Sequence, residues 1–89
     1  MFDVELKIRT VPEVVEKSKL QLLEVIDSWS ILKLDGMWKG KAEESVELSI
    51  ICDVDKSKDI VGIIAQNAKQ LGEDSIMIGN SFLALNEID

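Results

Sequence analysis

Two kinds of periodicity alternate along this chain, and their order leaves few folds open to it. Apolar and charged residues alternate strictly from position 2 to position 9, which predicts a half-buried strand. From Thr10 to about Asp27 the apolar spacing becomes that of an amphipathic helix. Thr10 is placed to cap this helix, because Glu13 follows at the right spacing and Pro12 falls in the first turn.

The same two periods return further along the chain. Trp29 to Trp38 predicts a second strand with apolar residues on both faces, as in a strand that is covered on both sides. After a polar connection over Gly40 to Glu43, a third strand alternates apolar and polar residues. Asp53 to Asp59 is charged and typical of a turn, in which Asp55 or Ser57 can cap a second helix.

The second helix and two short strands after it complete the pattern. The apolar stripe of the helix consists of Val61, Ile64, Ala65, Ala68 and Leu71. Gly72 is placed as a left-handed cap. A strand over Ile76 to Ile78, a Gly79-Asn80 turn and an apolar strand over Phe82 to Leu85 come next. This order predicts an α+β, ferredoxin-like βαββαβ fold, an antiparallel sheet with two helices on one face and an extra C-terminal strand.

Length and composition extend this prediction to the number of domains and the number of subunits. The chain predicts a single ferredoxin-like domain over residues 1–89. Of its residues 46% are hydrophobic, and few of these are Phe or Trp, so the core is expected to be aliphatic. The two-faced second strand and the apolar last strand favour coverage by further copies of this chain, and we expect a homo-oligomer of three subunits.

Charge and missing residue types exclude several classes of function. The net charge of -7 disfavours nucleic acid and anionic membranes as partners. The chain has no histidine, which excludes an ordinary zinc site and Ser-His or Cys-His nucleophiles, and we expect neither metal nor cofactor. Cys52 is the only cysteine, and its apolar neighbours predict a buried, inert thiol. Without a disulfide, a leader or an apolar run that could span a bilayer, we expect a cytoplasmic protein.

The stretch from Leu34 to Ser45 is the best candidate for a site. Gly36, Trp38 and Gly40 fall where a tight connection joins two strands. As a ligand platform, the glycines would let a ligand approach the backbone, and the Trp38 indole would offer a flat face to a base or a sulfonium cation. The alternative is structural, a twisted hairpin edge on which Trp38 caps the core.

Two pairs of acidic residues can complete this site. Glu43 and Glu44 are adjacent at the start of a strand and point to opposite sides, so at most one faces a given pocket. Glu44 has the parity of the apolar residues of its strand, which predicts a partly desolvated carboxylate. Glu73 and Asp74 follow the second helix and can join a site formed between subunits. Hydrated surface loops are the alternative for both pairs.

The motifs from about Leu34 to Gly79 resemble those of a group of small phage and bacterial ferredoxin-like domains. These motifs are Gly36-x-Trp38-x-Gly40, Glu44-Ser45 at the start of a strand, and Glu73-Asp74-Ser75-Ile76-Met77-Ile78. One branch of the group is the phage S-adenosylmethionine lyases, and the layout is also similar to the trimeric CutA and PII-like proteins, which bind ligands between subunits. The resemblance implies an aromatic contact at Trp38 and a catalytic glutamate at Glu44, or else at Glu43. At Glu73 the group commonly has glutamine.

Three functions fit these residues. The first is a phage-type homo-oligomer that binds a host protein or a small ligand, such as S-adenosylmethionine or a nucleotide, in clefts between subunits, without catalysis. The resemblance implies the second, an S-adenosylmethionine lyase in which the substrate's own carboxylate attacks the carbon beside its sulfonium, giving methylthioadenosine and homoserine lactone. For that reaction a protein needs mainly to position the substrate and to stabilise its charges electrostatically. The third is an inhibitor of a host factor that acts through its acidic surface.

Overall fold

The computed structural model describes residues 3–87, and the side chains of Trp38 and Glu87 lie outside the described part. The strands are β1 (Asp3–Thr10), β2 (Ser30–Trp38), β3 (Lys41–Asp53), β4 (Ser75–Ile78) and β5 (Ser81–Ala84). The helices are α1 (Pro12–Leu23) and α2 (Val54–Gln70), and a 3-10 turn spans Leu85–Glu87. Within the described range the strands form a 5-stranded antiparallel sheet in the order β2-β3-β1-β4-β5. The predicted α+β, ferredoxin-like fold with an extra C-terminal strand is confirmed.

The core lies between one face of the sheet and the two helices. Ile8 of β1 lies opposite both Leu48 of β3 and Ile78 of β4, and residues opposite one another point to the same face. The buried apolar residues are Leu6, Ile8, Val14, Val15, Leu22, Val46, Leu48, Ile50, Cys52, Ile60, Ile64, Ala65, Ala68, Ile76 and Leu85. Cys52 is buried, as predicted, and burial raises the pKa of its thiol, with nearby carboxylates adding to the effect.

α1 begins without a side-chain cap. Thr10, the predicted cap, is the last residue of β1, where it pairs with Val46 of β3. Val11 takes the N-cap position and makes no side-chain hydrogen bond. The capping prediction is therefore wrong, because strand pairing holds Thr10 in the sheet. The helix ends at Leu23, earlier than the predicted Asp27.

α2 begins earlier than the sequence predicts. Asp53 caps it by accepting a hydrogen bond from the backbone amide of Lys56 at 2.9 Å. The predicted turn over Asp53 to Asp59 and the predicted caps Asp55 and Ser57 are therefore wrong. The charged side chains that suggested a turn lie mostly exposed on the first turns of the helix.

A buried polar contact joins the two helices. The Asn67 amide nitrogen Nδ2 donates to Ser18 Oγ and to Gln21 Oε1, at 2.8 Å in each case. The Ser18 hydroxyl in turn donates to the Val14 carbonyl at 2.7 Å. Because buried polar groups cost free energy unless they are paired, this contact favours one arrangement of α1 against α2. Over residues 3–87 no helix is both long and apolar enough to cross a membrane.

A two-residue turn joins β2 to β3. Lys39 (φ 51°) and Gly40 (φ 78°) both have the positive φ that a type I′ turn requires. Strand pairing resumes at once after this turn, and β3 begins at Lys41. The predicted polar connection over Gly40 to Glu43 is therefore wrong, and both glutamates of the predicted site lie within β3.

The face of the sheet that points away from the helices exposes large apolar side chains. Leu32 of β2, Ile51 of β3 and Phe82 of β5 are 57%, 72% and 73% exposed. An ion pair between Arg9 Nη2 and Glu47 Oε2, 3.2 Å apart, lies on the same face. Coverage of this face by further copies of the chain stays a prediction, and we call it the open face.

Candidate functional site

A pair of connected hollows lies at one end of the sheet, where β3 and β4 begin. The first has a volume of about 370 Å³, and its lining consists of Glu43, Gly72, Glu73, Asp74, Ser75 and Phe82. The second, of about 270 Å³, shares Glu43, Glu73, Ser75 and Phe82 and extends to Arg9, Thr10 and Val11. We call the two together the acidic hollow. Its size suits a small molecule.

The order of the strands brings the acids of this hollow together. β1 lies between β3 and β4, so the starts of β3 and β4 meet at the end of the sheet where β1 finishes. Glu43 lies opposite Gly36 of β2 and shares the parity of Ser45 and Glu47, which places it on the open face. Glu73 reaches the same place from the connection between α2 and β4.

The end of α2 fixes the position of Glu73. Gly72 adopts a φ of 82°, and its amide donates to the Lys69 carbonyl at 3.0 Å. The amide of Glu73 donates to the Ala68 carbonyl, also at 3.0 Å. These two hydrogen bonds form a Schellman motif, so the predicted glycine cap is confirmed. The backbone of Glu73 is therefore held by the helix end and does not belong to a free loop.

The hollow is electrostatically unusual because several carboxylates surround a half-buried one. Burial raises the pKa of the Glu73 carboxyl, and the negative charges of Glu43, Glu13 and Asp74 raise it further. Glu13 belongs to the first turn of α1, so three separate parts of the chain contribute to this field. Such a site lowers its electrostatic free energy either by binding a cation or by retaining a proton on Glu73.

Thr10 borders the second hollow, but its side chain has the parity of the face that the helices cover, and its hydroxyl is buried there. Thr10 is only 6% exposed, and among the described residues its Oγ1 has no hydrogen-bond partner. On folding, this hydroxyl gives up its hydrogen bonds to water and gains none within the described part of the protein, which lowers the free energy of unfolding. Thr10 is thus a polar side chain whose presence the packing of the core does not explain.

The glycines and the tryptophan of the predicted site lie on the β2–β3 ribbon. Gly36 pairs directly with Glu43, and a side chain added at Gly36 would make only ordinary contact with the Glu43 carbonyl, at 3.8 Å. Gly40 serves the turn. Trp38 ends β2 and its backbone pairs with Lys41. The predicted ligand contact and the predicted core contact of the Trp38 indole both lie outside the described part of the chain.

Glu44 lies apart from the acidic hollow. It has the parity of Val46, as predicted, but it is exposed, because the ribbon extends beyond the buried part of the sheet. The predicted partial desolvation of Glu44 is therefore wrong. Glu44 lines a separate cavity of about 200 Å³ with Pro12, Lys33, Leu34, Asp35, Ser45 and Val46. The structure thus brings Gly36, Glu43 and Glu73 to one end of the open face and turns Glu44 away from it.

Sequence reasoning missed the contributions of Phe82 and Glu13 to this site. The sequence predicts Phe82 only as part of an apolar strand, yet its side chain lines both hollows. The available signal is the predicted topology, since a ferredoxin-like strand order already places the starts of the third and fourth strands close together.

In the described part of the chain no group of three or more His, Cys, Asp or Glu residues is arranged to hold a metal ion.

Comparisons with known proteins identify a likeness of fold. No protein-family model matches the chain, and no curated protein sequence matches it. Among solved structures it is similar to a phage S-adenosylmethionine lyase that was solved in complex with S-methyl-5′-thioadenosine, with a TM-score of 0.59 and 14% sequence identity. The match covers 83% of this chain and 76% of the lyase. At this identity the likeness shows the shared ferredoxin-like fold.

Proposed function

We propose that this protein binds S-adenosylmethionine in the acidic hollow. The observation that carries the proposal is the position of Glu43 and Glu73, two carboxylates on separate elements that line one hollow with the exposed ring of Phe82. The likeness of fold to a lyase solved with S-methyl-5′-thioadenosine supports the choice of ligand class.

The chemistry of the ligand matches the chemistry of the hollow. S-adenosylmethionine carries a sulfonium and an ammonium against a single carboxylate, so its net charge is positive. The carboxylates of Glu43 and Glu73 would attract these cations. A bound cation would offset both the burial of Glu73 and the repulsion from its neighbours, which raise its pKa. Phe82 offers an apolar surface against which an adenine ring can stack.

A second candidate function is cleavage of the bound molecule, as in the lyase of similar fold. The ligand's carboxylate oxygen would form a bond to the carbon beside the sulfonium, the carbon–sulfur bond would break, and its electron pair would pass to sulfur. The products would be methylthioadenosine and homoserine lactone, and no water, oxidant or metal takes part. The ammonium of the ligand stays charged throughout this step, so a carboxylate of the protein can remain bound to it. Such a carboxylate would orient the methionine chain without stabilising the sulfonium charge that the reaction removes.

We propose Glu43, with Glu73, for that orienting role. Parity alone favours Glu44, but Glu44 lies on the other side of the ribbon, whereas Glu43 lines the same hollow as Glu73, which supports Glu43 instead. Three subunits with a cleft between them remain part of the proposal, supported by the apolar side chains of the open face beside the hollow. A basic host protein is the remaining candidate partner for the acidic surface.

Calorimetry with matched ligands tests the proposal. S-adenosylmethionine and S-adenosylhomocysteine differ in the sulfonium charge, so the acidic hollow should bind the former more tightly. Equal affinities would contradict the electrostatic argument, and absence of binding to either would favour a protein partner. Chromatography of the same mixtures tests the second candidate, because a lyase would produce methylthioadenosine together with homoserine lactone.

A further inference from the structure

The outer edge of β2 is long and unpaired among the described residues. β2 has 9 residues and stands at the end of the sheet, where the backbone groups of its outer side have no neighbouring strand among the described residues. Its pairing with β3 runs without a bulge from Ser30 to Trp38, and it contains no proline. Exposed edges in monomeric proteins are usually shortened, bulged or charged, because they otherwise pair with another chain. Of these features β2 has only two charges of opposite sign, Lys33 and Asp35.

Apolar side chains on this edge are also left in water. Ile31 is 48% exposed and Met37 is 71% exposed, and both have the parity of the face that the helices cover. A strand that is apolar and unpaired along one side has the character of an interface. The edge is distinct from the acidic hollow, which lies at the start of β3 and β4.

Neither of the two charged residues of β2 lies opposite a residue of opposite charge on β3. Asp35 lies directly opposite Glu44 of β3, which sets two carboxylates side by side. Lys33 lies opposite the apolar Val46. Neither Lys33 nor Asp35 forms an ion pair with another described residue. A cation on the outer side of Asp35 would offset the repulsion from Glu44.

We infer that β2 pairs in an antiparallel manner with β2 of a second copy of this chain, about a two-fold axis at Leu34. In this register Lys33 lies opposite the partner's Asp35, and Asp35 lies opposite the partner's Lys33. Ile31 then lies opposite the partner's Met37, so the apolar residues also meet. The strand is complementary to itself in both charge and hydrophobicity, as an isologous interface requires.

The neighbouring registers are less favourable on the same grounds. The helices of both copies lie on one side of the joined sheet only if helix-side residues of β2 oppose helix-side residues of the partner's β2. Moving the two-fold axis by one residue along the strand keeps this match. One such step centres the axis on Lys33 and sets two lysines opposite each other. The other centres it on Asp35 and sets two aspartates opposite each other. Like charges in directly opposed positions are destabilising, so the register centred on Leu34 is selected.

Charge reversal tests this pairing directly. Lys33→Asp would set carboxylates opposite one another at both pairs, and Asp35→Lys would do the same with ammonium groups. Each variant alone should self-associate about tenfold more weakly than the wild type, measured by sedimentation and by light scattering coupled to size exclusion. An equimolar mixture of the two variants should restore association, because one chain then presents only carboxylates and the other only ammonium groups. The double variant Lys33→Asp/Asp35→Lys should self-associate as the wild type does.

Matched reversals away from the edge serve as controls. Lys58→Asp and Asp59→Lys change the net charge by the same amounts on the exposed side of α2, and they should leave association unchanged. Circular dichroism of each variant verifies that it folds. A wild-type assembly with two-fold pairs, including a hexamer that combines them with the expected three-fold contact, would support the inference. A wild-type monomer, a closed trimer, or an assembly that is insensitive to both reversals would overturn it.

Discussion

Glu43 of β3 and Glu73 of the connection after α2 line the same hollow, and the charge of Glu43 contributes to raising the pKa of Glu73. Glu73 is half-buried whereas Glu43 is exposed, so burial, the largest cause of the raised pKa, adds to this repulsion at Glu73. Folding thus places a carboxylate where it is less stable than in the unfolded chain. Sites that keep such an arrangement are candidates for function, because the strain is relieved by a suitable ligand.

The first expected consequence is that Glu73→Gln stabilises the protein at neutral pH. A carboxyl whose pKa is raised by folding binds its proton more tightly in the folded state. Its contribution to stability is therefore present below the ordinary glutamate pKa of about 4.3 and is lost as the pH rises through the raised value. Glutamine has no charge to desolvate, so the melting temperature of the variant should exceed that of the wild type at pH 7, and the two should converge near pH 4.

Asp74→Asn is the matched control for this measurement, since Asp74 borders the same hollow but is exposed. Its effect on the melting temperature at pH 7 should be smaller than that of Glu73→Gln. A Glu73→Gln variant that is less stable than the wild type at pH 7 would mean that the carboxylate makes a favourable contact that outweighs its burial and the repulsion from its neighbours.

The order of elements was predictable because each one carries its own periodicity. The alternation through β1 and the apolar stripe of α2 are local signals, and Gly72 and Gly79 mark the ends of elements with φ values of 82° and 58°. The predicted boundaries of helices and strands were wrong where one residue could belong to either of two elements. Thr10 could cap a helix or extend a strand, and pairing with β3 decided in favour of the strand.

The candidate site was less predictable, because its residues meet only through the topology. Parity correctly separated Glu43 from Glu44, since the face of each residue is a local property of β3. Burial of Glu44 is not local, because it depends on how far the helices extend over the ribbon. The approach of Glu73 to Glu43 requires β1 to lie between β3 and β4, which no sequence pattern within either segment records.

Thr10→Val is expected to increase the free energy of unfolding by about 1 kcal/mol. The substitution keeps the shape of the side chain and removes a buried hydroxyl that has no partner among the described residues. Urea denaturation gives the difference, with Thr10→Ser as the control that retains the hydroxyl and loses the methyl group. If Thr10→Val destabilises the protein, the hydroxyl is paired in solution and its burial is compensated.

Asn67→Ala is expected to destabilise the protein by about 1–3 kcal/mol, because it removes both hydrogen bonds that join α2 to Ser18 and Gln21 of α1. The same denaturation experiment measures the change. Gln70→Ala, at an exposed position near the end of the same helix, is the control and should lie within about 0.5 kcal/mol of the wild type. Equal effects of the two substitutions would show that the contact between the helices does not contribute to stability.

The last prediction separates the two adjacent glutamates of β3. Glu43→Gln should weaken binding of S-adenosylmethionine about tenfold, since it removes a charged partner while keeping the shape of the side chain. Glu44→Gln carries the same change in charge at the neighbouring position, on the other side of the ribbon, and should alter the affinity by less than about twofold. Calorimetry at low and high salt distinguishes a direct contact from the general field of an acidic protein, because only the latter is strongly screened. If the two variants lose affinity equally, the ligand is not held in the acidic hollow. If Glu44→Gln alone loses affinity, the ligand lies in the cavity beside Pro12 and Lys33, and the site belongs to the other face of the sheet.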